Sequence, residues 1–287
     1  MRQEIIRLYD DYTHKRLHRR VFMDRLATLA GGTAAAAALL PILQNNYAKA
    51  AMVAEDDARL TTEQISFPGP SGEVQGYLAR PADAGGELPA VLVIHENRGL
   101  NPYVEDVARR AALEGFVALA PDFLSPQGGT PEDEDQAREM IGQLDQQQTI
   151  QNALAAVDFL ESHEATTDKV GVVGFCWGGA LANQIAVNSP NVDAVVPFYG
   201  RQPASEDVAK IKAPLLLQYA GLDDRINEGI PAYEQALKDA GVDHTIHMYE
   251  GANHAFHNDT NAARYDQEAA ELAWSRTIDF LKQQLAG

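Results

Sequence analysis

Cysteine is almost absent from this chain: one thiol, Cys176, stands in 287 residues. A single cysteine excludes an internal disulfide and a zinc cage built from several thiolates. Aromatic residues make up only 7% of the sequence, and basic residues are outnumbered, 23 Lys and Arg against 41 Asp and Glu. The formal net charge of −18 excludes nucleic acid and anionic membrane surfaces as partners, because both repel an acidic protein. Long apolar runs are lacking too. The stretch 26–43 is alanine- and glycine-rich, and Gln44, Asn45 and Asn46 follow it, so it makes a poor membrane span. No solenoid period occurs, and no low-complexity tract beyond that stretch. The 45% hydrophobic share is ordinary for one soluble globular domain preceded by a leader.

The charge is unevenly spread. The first fifty residues hold eight Lys or Arg against four acids, and the rest of the chain fifteen against thirty-seven. Within the basic head, His18-Arg19-Arg20-Val21-Phe22-Met23 resembles a twin-arginine signal, the 26–43 stretch supplies an apolar core, and Ala48-Lys49-Ala50 offers small residues at a cleavage site. The order of these features predicts a leader at 1–50, read by the twin-arginine export machinery and removed near Ala50/Ala51. The mature protein is then periplasmic or extracellular, with no stable membrane association after cleavage. The alternative is an amphipathic N-terminal helix retained in the cytoplasm. An N-terminal extension at 51–72 and an α/β domain at 73–287 complete the expected organisation.

Strand-like and helix-like segments alternate through that domain. Strands are expected at 73–80, 90–94, 116–120, 170–173, 194–199, 215–219 and 244–249. Helices are expected at 103–113, 132–160 with a break near Gly142, after Cys176, at 230–240 and at 267–285. This alternation predicts a mostly parallel sheet covered by helices on both faces, a three-layer α/β/α architecture. Functional residues gather at one edge of such a sheet.

Three motifs fall on that edge. Gly174-Phe175-Cys176-Trp177-Gly178-Gly179 follows an apolar run directly. It has the G-x-nucleophile-x-G form of a sharp strand-to-helix turn, with cysteine where serine usually stands. Gly221-Leu222-Asp223-Asp224 ends a second run, and Glu250-Gly251-Ala252-Asn253-His254 a third. Nucleophile, acid and histidine thus follow one another in the order of an α/β-hydrolase. A thiol with a free pKa of about 8.5 needs an imidazole to take its proton and a carboxylate to fix the imidazole's tautomer. Asp223 suits the turn better than Asp224, and His254 suits its glycine-bearing loop better than His257. Of the eight histidines, His14, His18, His163, His244 and His247 read as surface or packing residues.

Together with His95-Glu96-Asn97-Arg98-Gly99 after an earlier strand, these motifs make the chain, from about Gly76 onward, similar to the dienelactone hydrolases, the cysteine-dependent branch of the α/β-hydrolases. The resemblance implies Cys176 as nucleophile, Asp223 and His254 as its partners, and Glu96 as a carboxylate that governs the ionisation of the thiol. Backbone N–H groups of Asn97 and Trp177 are the expected oxyanion donors. Arg98 and Arg138 are candidate contacts to a substrate carboxylate. Where the family carries an arginine four residues past the histidine, this sequence has Asn258, a departure that argues against dienelactone itself as the substrate and makes a neutral ester or lactone as good a candidate.

The expectation is therefore a hydrolase of small esters or lactones, working through an acyl-enzyme with no metal and no organic cofactor and resembling carboxymethylenebutenolidase. A non-hydrolytic ligand-binding or thiol-reactive sensing protein on the same scaffold is the alternative.

Overall fold

Aliphatic runs such as Ala90-Val91-Leu92-Val93-Ile94 carry no polar side chain for solvent, so they form strands buried on both faces. In the computed structural model, which describes residues 1–14, 16–47 and 51–286, eight strands make one sheet. They are β1 (Leu60–Gly69), β2 (Gly72–Pro81), β3 (Leu88–Ile94), β4 (Val117–Asp122), β5 (Thr166–Phe175), β6 (Ala194–Phe198), β7 (Leu215–Ala220) and β8 (His244–Tyr249). Their order is β1-β2-β4-β3-β5-β6-β7-β8. The β1–β2 and β2–β4 pairs are antiparallel, and all the others are parallel.

β1 lies in the segment read from sequence as an extension, and it pairs with β2 from Leu60 opposite Pro81 to Gly69 opposite Gly72. It is an edge strand in which only Phe67 is buried, so it lacks the apolar run that reveals the inner strands.

Three helices precede the sheet: α1 (Gln3–Thr13), α2 (Arg19–Ala30) and α3 (Thr33–Leu43). The sheet is then covered by α4 (Pro102–Leu113), α5 (Glu134–Ile141), α6 (Gln146–Ser162), α7 (Trp177–Asn188), the short α8 (Asp224–Asn227), α9 (Ile230–Ala240) and α10 (Gln267–Leu285). Ala153, Val157, Leu160, Leu181, Ile185 and Leu237, from α6, α7 and α9, fill one face. The other face is filled from α4 and α10 by Val104, Val107, Ala111, Ala273, Ile278 and Leu281. Short polar residues start the helices. The Asn101 side chain accepts from the Tyr103 and Val104 amides, with Pro102 in the first turn, while Asp145 and Asp266 cap α6 and α10. The expected break in the 132–160 segment falls between α5 and α6, from Gly142 to Asp145.

The N-terminal helices fold onto the domain. α1 buries Ile5, Ile6, Leu8, Tyr9, Tyr12 and Thr13, and Phe22, Leu26, Ala36 and Leu43 from α2 and α3 join it in a separate apolar cluster. Polar contacts fasten this cover to the domain. Tyr12 donates its hydroxyl to Asp135 (2.6 Å), Asn261 Nδ2 donates to the Leu43 carbonyl (2.7 Å), and the Asn46 amide donates to the Thr260 carbonyl (2.8 Å). Arg19, of the twin-arginine-like motif, pairs with Asp135. The Ala48-Lys49-Ala50 cleavage motif lies outside the described residues. Among the described residues no single helix is long and apolar enough to cross a membrane. α2 and α3 satisfy length and composition only together, across a 110° bend.

Candidate active site

β5 runs straight into the turn that carries the lone thiol. Cys176 has φ 55° and ψ −110°, a left-handed conformation that costs a non-glycine residue on the order of 1–3 kcal/mol and persists only where the surroundings enforce it. Here the Cys176 amide donates to the Phe198 carbonyl of β6 (3.0 Å), and α7 begins at the next residue. The turn also presses against β3: a Cβ placed on Gly178 would lie 2.5 Å from both the Ile94 and His95 carbonyl oxygens. Glycine is required there by that close approach. The Trp177 ring stacks on His95, with centroids 5.1 Å apart.

Beyond the end of β7, Asp223 caps α8 by accepting from the Ile226 amide (3.3 Å), and its Oδ2 lies 2.5 Å from His254 Nδ1. A carboxylate only accepts, so the proton of this bond sits on Nδ1 and leaves Nε2 as the reactive nitrogen. His254 is buried, and its Nε2 has no hydrogen-bond partner among the described residues. A ring nitrogen of His254, the Cys176 sulfur and a ring nitrogen of His14 all lie within 4.8 Å of one another. The alternatives weighed from sequence are placed elsewhere. The Asp224 side chain is 81% exposed and pairs with Arg7 at 3.4 Å. His257 is buried with its Nδ1 2.7 Å from the Tyr103 hydroxyl.

The charges of these groups support one another. Burial pushes the Cys176 thiol up, but the positive field of His254 and the contacts of both His14 and His254 outweigh it and hold the thiol well below its ordinary value. For His254, burial favours the neutral ring, yet the Asp223 carboxylate, the thiolate and Asp10 raise its pKa to about 10. Asp223 is lowered, since the attraction of His254 exceeds the effect of burial. Both shifts favour a thiolate beside an imidazolium over the neutral pair.

Glu96 is buried and tied to a neighbour: Asn258 Nδ2 donates to its Oε2 (2.7 Å), while Oε1 has no hydrogen-bond partner among the described residues. Burial and then the nearby thiolate raise its carboxyl pKa. Asn258, the position where the family carries an arginine, thus holds the glutamate. Asn97 turns its side-chain amide to the Thr13 carbonyl (3.0 Å), and with Trp177 it lines the cavity above the sulfur. At the N-terminus of α7 the first amides have no acceptor within the helix, which leaves donors and the positive end of the helix at the turn that carries the thiol.

The two candidate arginines differ. Arg98 is 5% exposed; its Nη2 donates to the Tyr9 hydroxyl (3.1 Å) and its Nε lies 3.0 Å from Glu134 Oε2, so it is committed behind the cavity wall. Arg138 lines the cavity, donating to the Tyr12 carbonyl (3.1 Å) with its guanidinium 4.1 Å over the Tyr12 ring. The cavity has a volume of about 890 Å³, room for a small organic molecule.

Sequence reasoning misplaced His14, which reads as a surface or packing residue of the leader. Its Nε2 lies 3.5 Å from the Cys176 sulfur, and its ring meets His254 edge-on at 4.7 Å. Asp10, Arg225 and Arg264 were missed with it. Asp10 sits one helical turn before His14, and Arg225 Nη2 lies 3.2 Å from His14 Nε2. The buried Arg264 faces both the Tyr9 ring (5.3 Å) and Asp10 (3.6 Å). Only the i, i+4 spacing of Asp10 and His14 on an amphipathic segment could have signalled the pair. His14, Cys176 and His254 also place three donor atoms close enough for one metal ion, but the Arg225 guanidinium beside His14 opposes a second cation there.

The match to the dienelactone hydrolase family model spans residues 74–285, and a model described as YqhI-like matches residues 1–32. A hydrolase fragment of Escherichia coli, YghX, is 53% identical over 112 residues, 38% of this chain and 96% of that protein. A Saccharolobus solfataricus protein bearing the name carboxymethylenebutenolidase is 33% identical, with 77% of this chain matching 98% of that protein. The crystal structure of a dienelactone hydrolase from Klebsiella pneumoniae superposes with a TM-score of 0.72 at 27% identity, covering 78% of this chain and 99% of that one.

Proposed function

The chain belongs to the dienelactone hydrolase family, and we propose that it hydrolyses small carboxylic esters or lactones through an acyl-enzyme on Cys176. The observation that carries this reading is the convergence of the Cys176 thiol, the His254 imidazole and the Asp223 carboxylate beneath one open cavity. The thiolate attacks the carbonyl carbon, an S–C bond forms, and the carbonyl π electrons move onto oxygen. The Asn97 and Trp177 amides stabilise that oxyanion. The tetrahedral intermediate then collapses, the bond to the leaving oxygen breaks, and that oxygen takes the proton of the His254 imidazolium. Water activated by the neutral His254 attacks the thioester, returning a carboxylic acid and the resting pair. Glu96, close to the sulfur and held by Asn258, opposes an unneeded thiolate by like-charge repulsion.

Substrates of this reading are neutral. Arg98 is consumed by Tyr9 and Glu134, Asn258 stands where the family's arginine would be, and Arg138, the candidate that does line the cavity, is engaged by the Tyr12 carbonyl and Asp135. A panel of neutral and carboxylate-bearing esters and lactones tests the assignment across pH. Turnover should favour the neutral members. It should rise as the thiol ionises, well below pH 9, and fall as His254 loses its proton near pH 10. A thiol that reacts with alkylating reagents while no ester or lactone turns over would instead identify a thiol-reactive sensor.

For location we infer that the N-terminal segment stays with the working protein, the cytoplasmic alternative to twin-arginine export. The buried side chains of α1 and their contacts to Arg98, Arg138 and Cys176 support this. Mass determination of the N-terminus of protein isolated from its host decides it. A chain retaining residues 1–50 is expected, and one starting near Ala51 would restore the export reading.

A further inference from the structure

The sulfur is flanked by a second carboxylate–imidazole pair, and that pair comes from outside the span matched to the hydrolase family. His14 Nδ1 lies 2.8 Å from the Asp10 carbonyl oxygen and 3.3 Å from Asp10 Oδ1. Both oxygens accept only, so Nδ1 carries a proton and Nε2 is the nitrogen turned to Cys176, 3.5 Å away. The arrangement repeats that of Asp223 and His254, whose ring lies beside that of His14 at the same sulfur. We propose that Asp10 of α1 and His14, the residue that caps its C-terminus, form a second dyad that shares with His254 the task of ionising Cys176, so that the working site includes the first fourteen residues of the chain.

The geometry gives the dyad its chemistry. In the step concerned, the S–H bond breaks, its electron pair remains on sulfur, and the proton passes to a ring nitrogen. With two imidazoles in reach, the proton and the thiolate's hydrogen bonds are shared between them, and the thiolate is held from two directions. The groups facing His14 act in both directions. Asp10 on its own helix and the Cys176 thiolate at the turn favour its protonated form. Burial, Arg225 of α8 and protonated His254 disfavour it, and Asp223 offsets part of that repulsion. Burial is the largest single influence on His14, but Asp10 and Cys176 together outweigh it, and the ring is raised above its ordinary value. Asp10 is itself held low against its burial by His14, His254 and Arg264. Glu96 faces the sulfur from the loop after β3 and works against both imidazoles.

The proposal rests on the thiol of the preceding reading but needs no turnover to test it. The full-length protein and the His14→Gln and Asp10→Asn variants are titrated with iodoacetamide from pH 4 to 10, following mass gain on Cys176, and each is melted. His14→Gln should move the half-maximal pH of alkylation upward by at least about one unit, roughly a tenfold loss of thiolate on the acid side. Asp10→Asn, a change at a partly exposed position, should move it in the same direction by less. A purely structural role for His14 predicts a lower melting temperature with no displacement of the pH profile. Profiles of both variants that superimpose on that of the unaltered protein overturn the dyad. A loss of ester turnover without any change in these profiles would count against it as well. Failure of the ester panel, with the profiles displaced as expected, leaves the dyad standing and removes only the hydrolase.

Discussion

Cys176→Ala should lower the turnover of a responsive ester by about 10⁴-fold or more, while the protein keeps its fold. The size of the effect follows from the mechanism: the thiol forms the covalent intermediate, and what remains without it is binding and the oxyanion donors alone. The fold should survive because the substitution deletes one atom from a side chain that is 9% exposed and leaves the backbone path unchanged. The strained φ of 55° is imposed by the Phe198 carbonyl and by the packing of α7, not by the sulfur. A second consequence separates this outcome from a general loss of structure. Without the thiolate, one of the influences raising His254 disappears, so the imidazolium should lose its proton at lower pH. Titration of the His254 ring by NMR in the variant is expected to show that displacement downward.

Asp223→Asn should be nearly as damaging, on the order of 10⁴-fold in kcat, with a small effect on KM. An amide turned toward His254 Nδ1 no longer requires the proton there, so the ring can adopt the tautomer that presents a protonated Nε2 to the sulfur when neutral. The sign of the accompanying pH effect is fixed by the charges. Asp223 is the largest influence raising His254 to about 10, so its removal should bring the alkaline limb of the activity profile down toward the ordinary range of histidine. Asp224→Asn makes the contrast. That carboxylate is exposed and pairs with Arg7, and its loss should leave kcat within about twofold, consistent with the small worth of exposed ion pairs.

The inner part of this protein was legible in its residues. Strands such as β3 and β5 are unbroken apolar runs, and the turn after β5 announces itself by glycines that admit a helix against a strand. The fold class and the family follow from those features. Cys176, Asp223 and His254 could be named because each stands just past the end of such a strand, where a parallel sheet gathers side chains. β1 was not legible, because an edge strand with one buried side chain shows neither an apolar run nor a clean alternation.

His14 was illegible for a different reason. Its basic, alanine-rich surroundings carry the composition of a leader, and composition says nothing of where a segment docks. What brings His14 to the sulfur is the packing of Tyr9 and Tyr12 against Phe22 on one side and Arg98 and Arg138 on the other. Those contacts join residues far apart in sequence, and no local period encodes them. Arg225 and Arg264 escaped notice in the same way, each lying in a loop or short helix next to residues that drew attention for other reasons.

The account turns on a covalent bond to one sulfur atom, and mass spectrometry reads it directly. The protein is mixed with an activated acetyl ester, quenched in acid during turnover, digested and weighed. One acetyl group on the peptide that carries Cys176, accumulating in a burst and disappearing as substrate runs out, is the expected result. Turnover that proceeds with Cys176 unmodified at every time point, or an acetyl group held only on another residue, would contradict it.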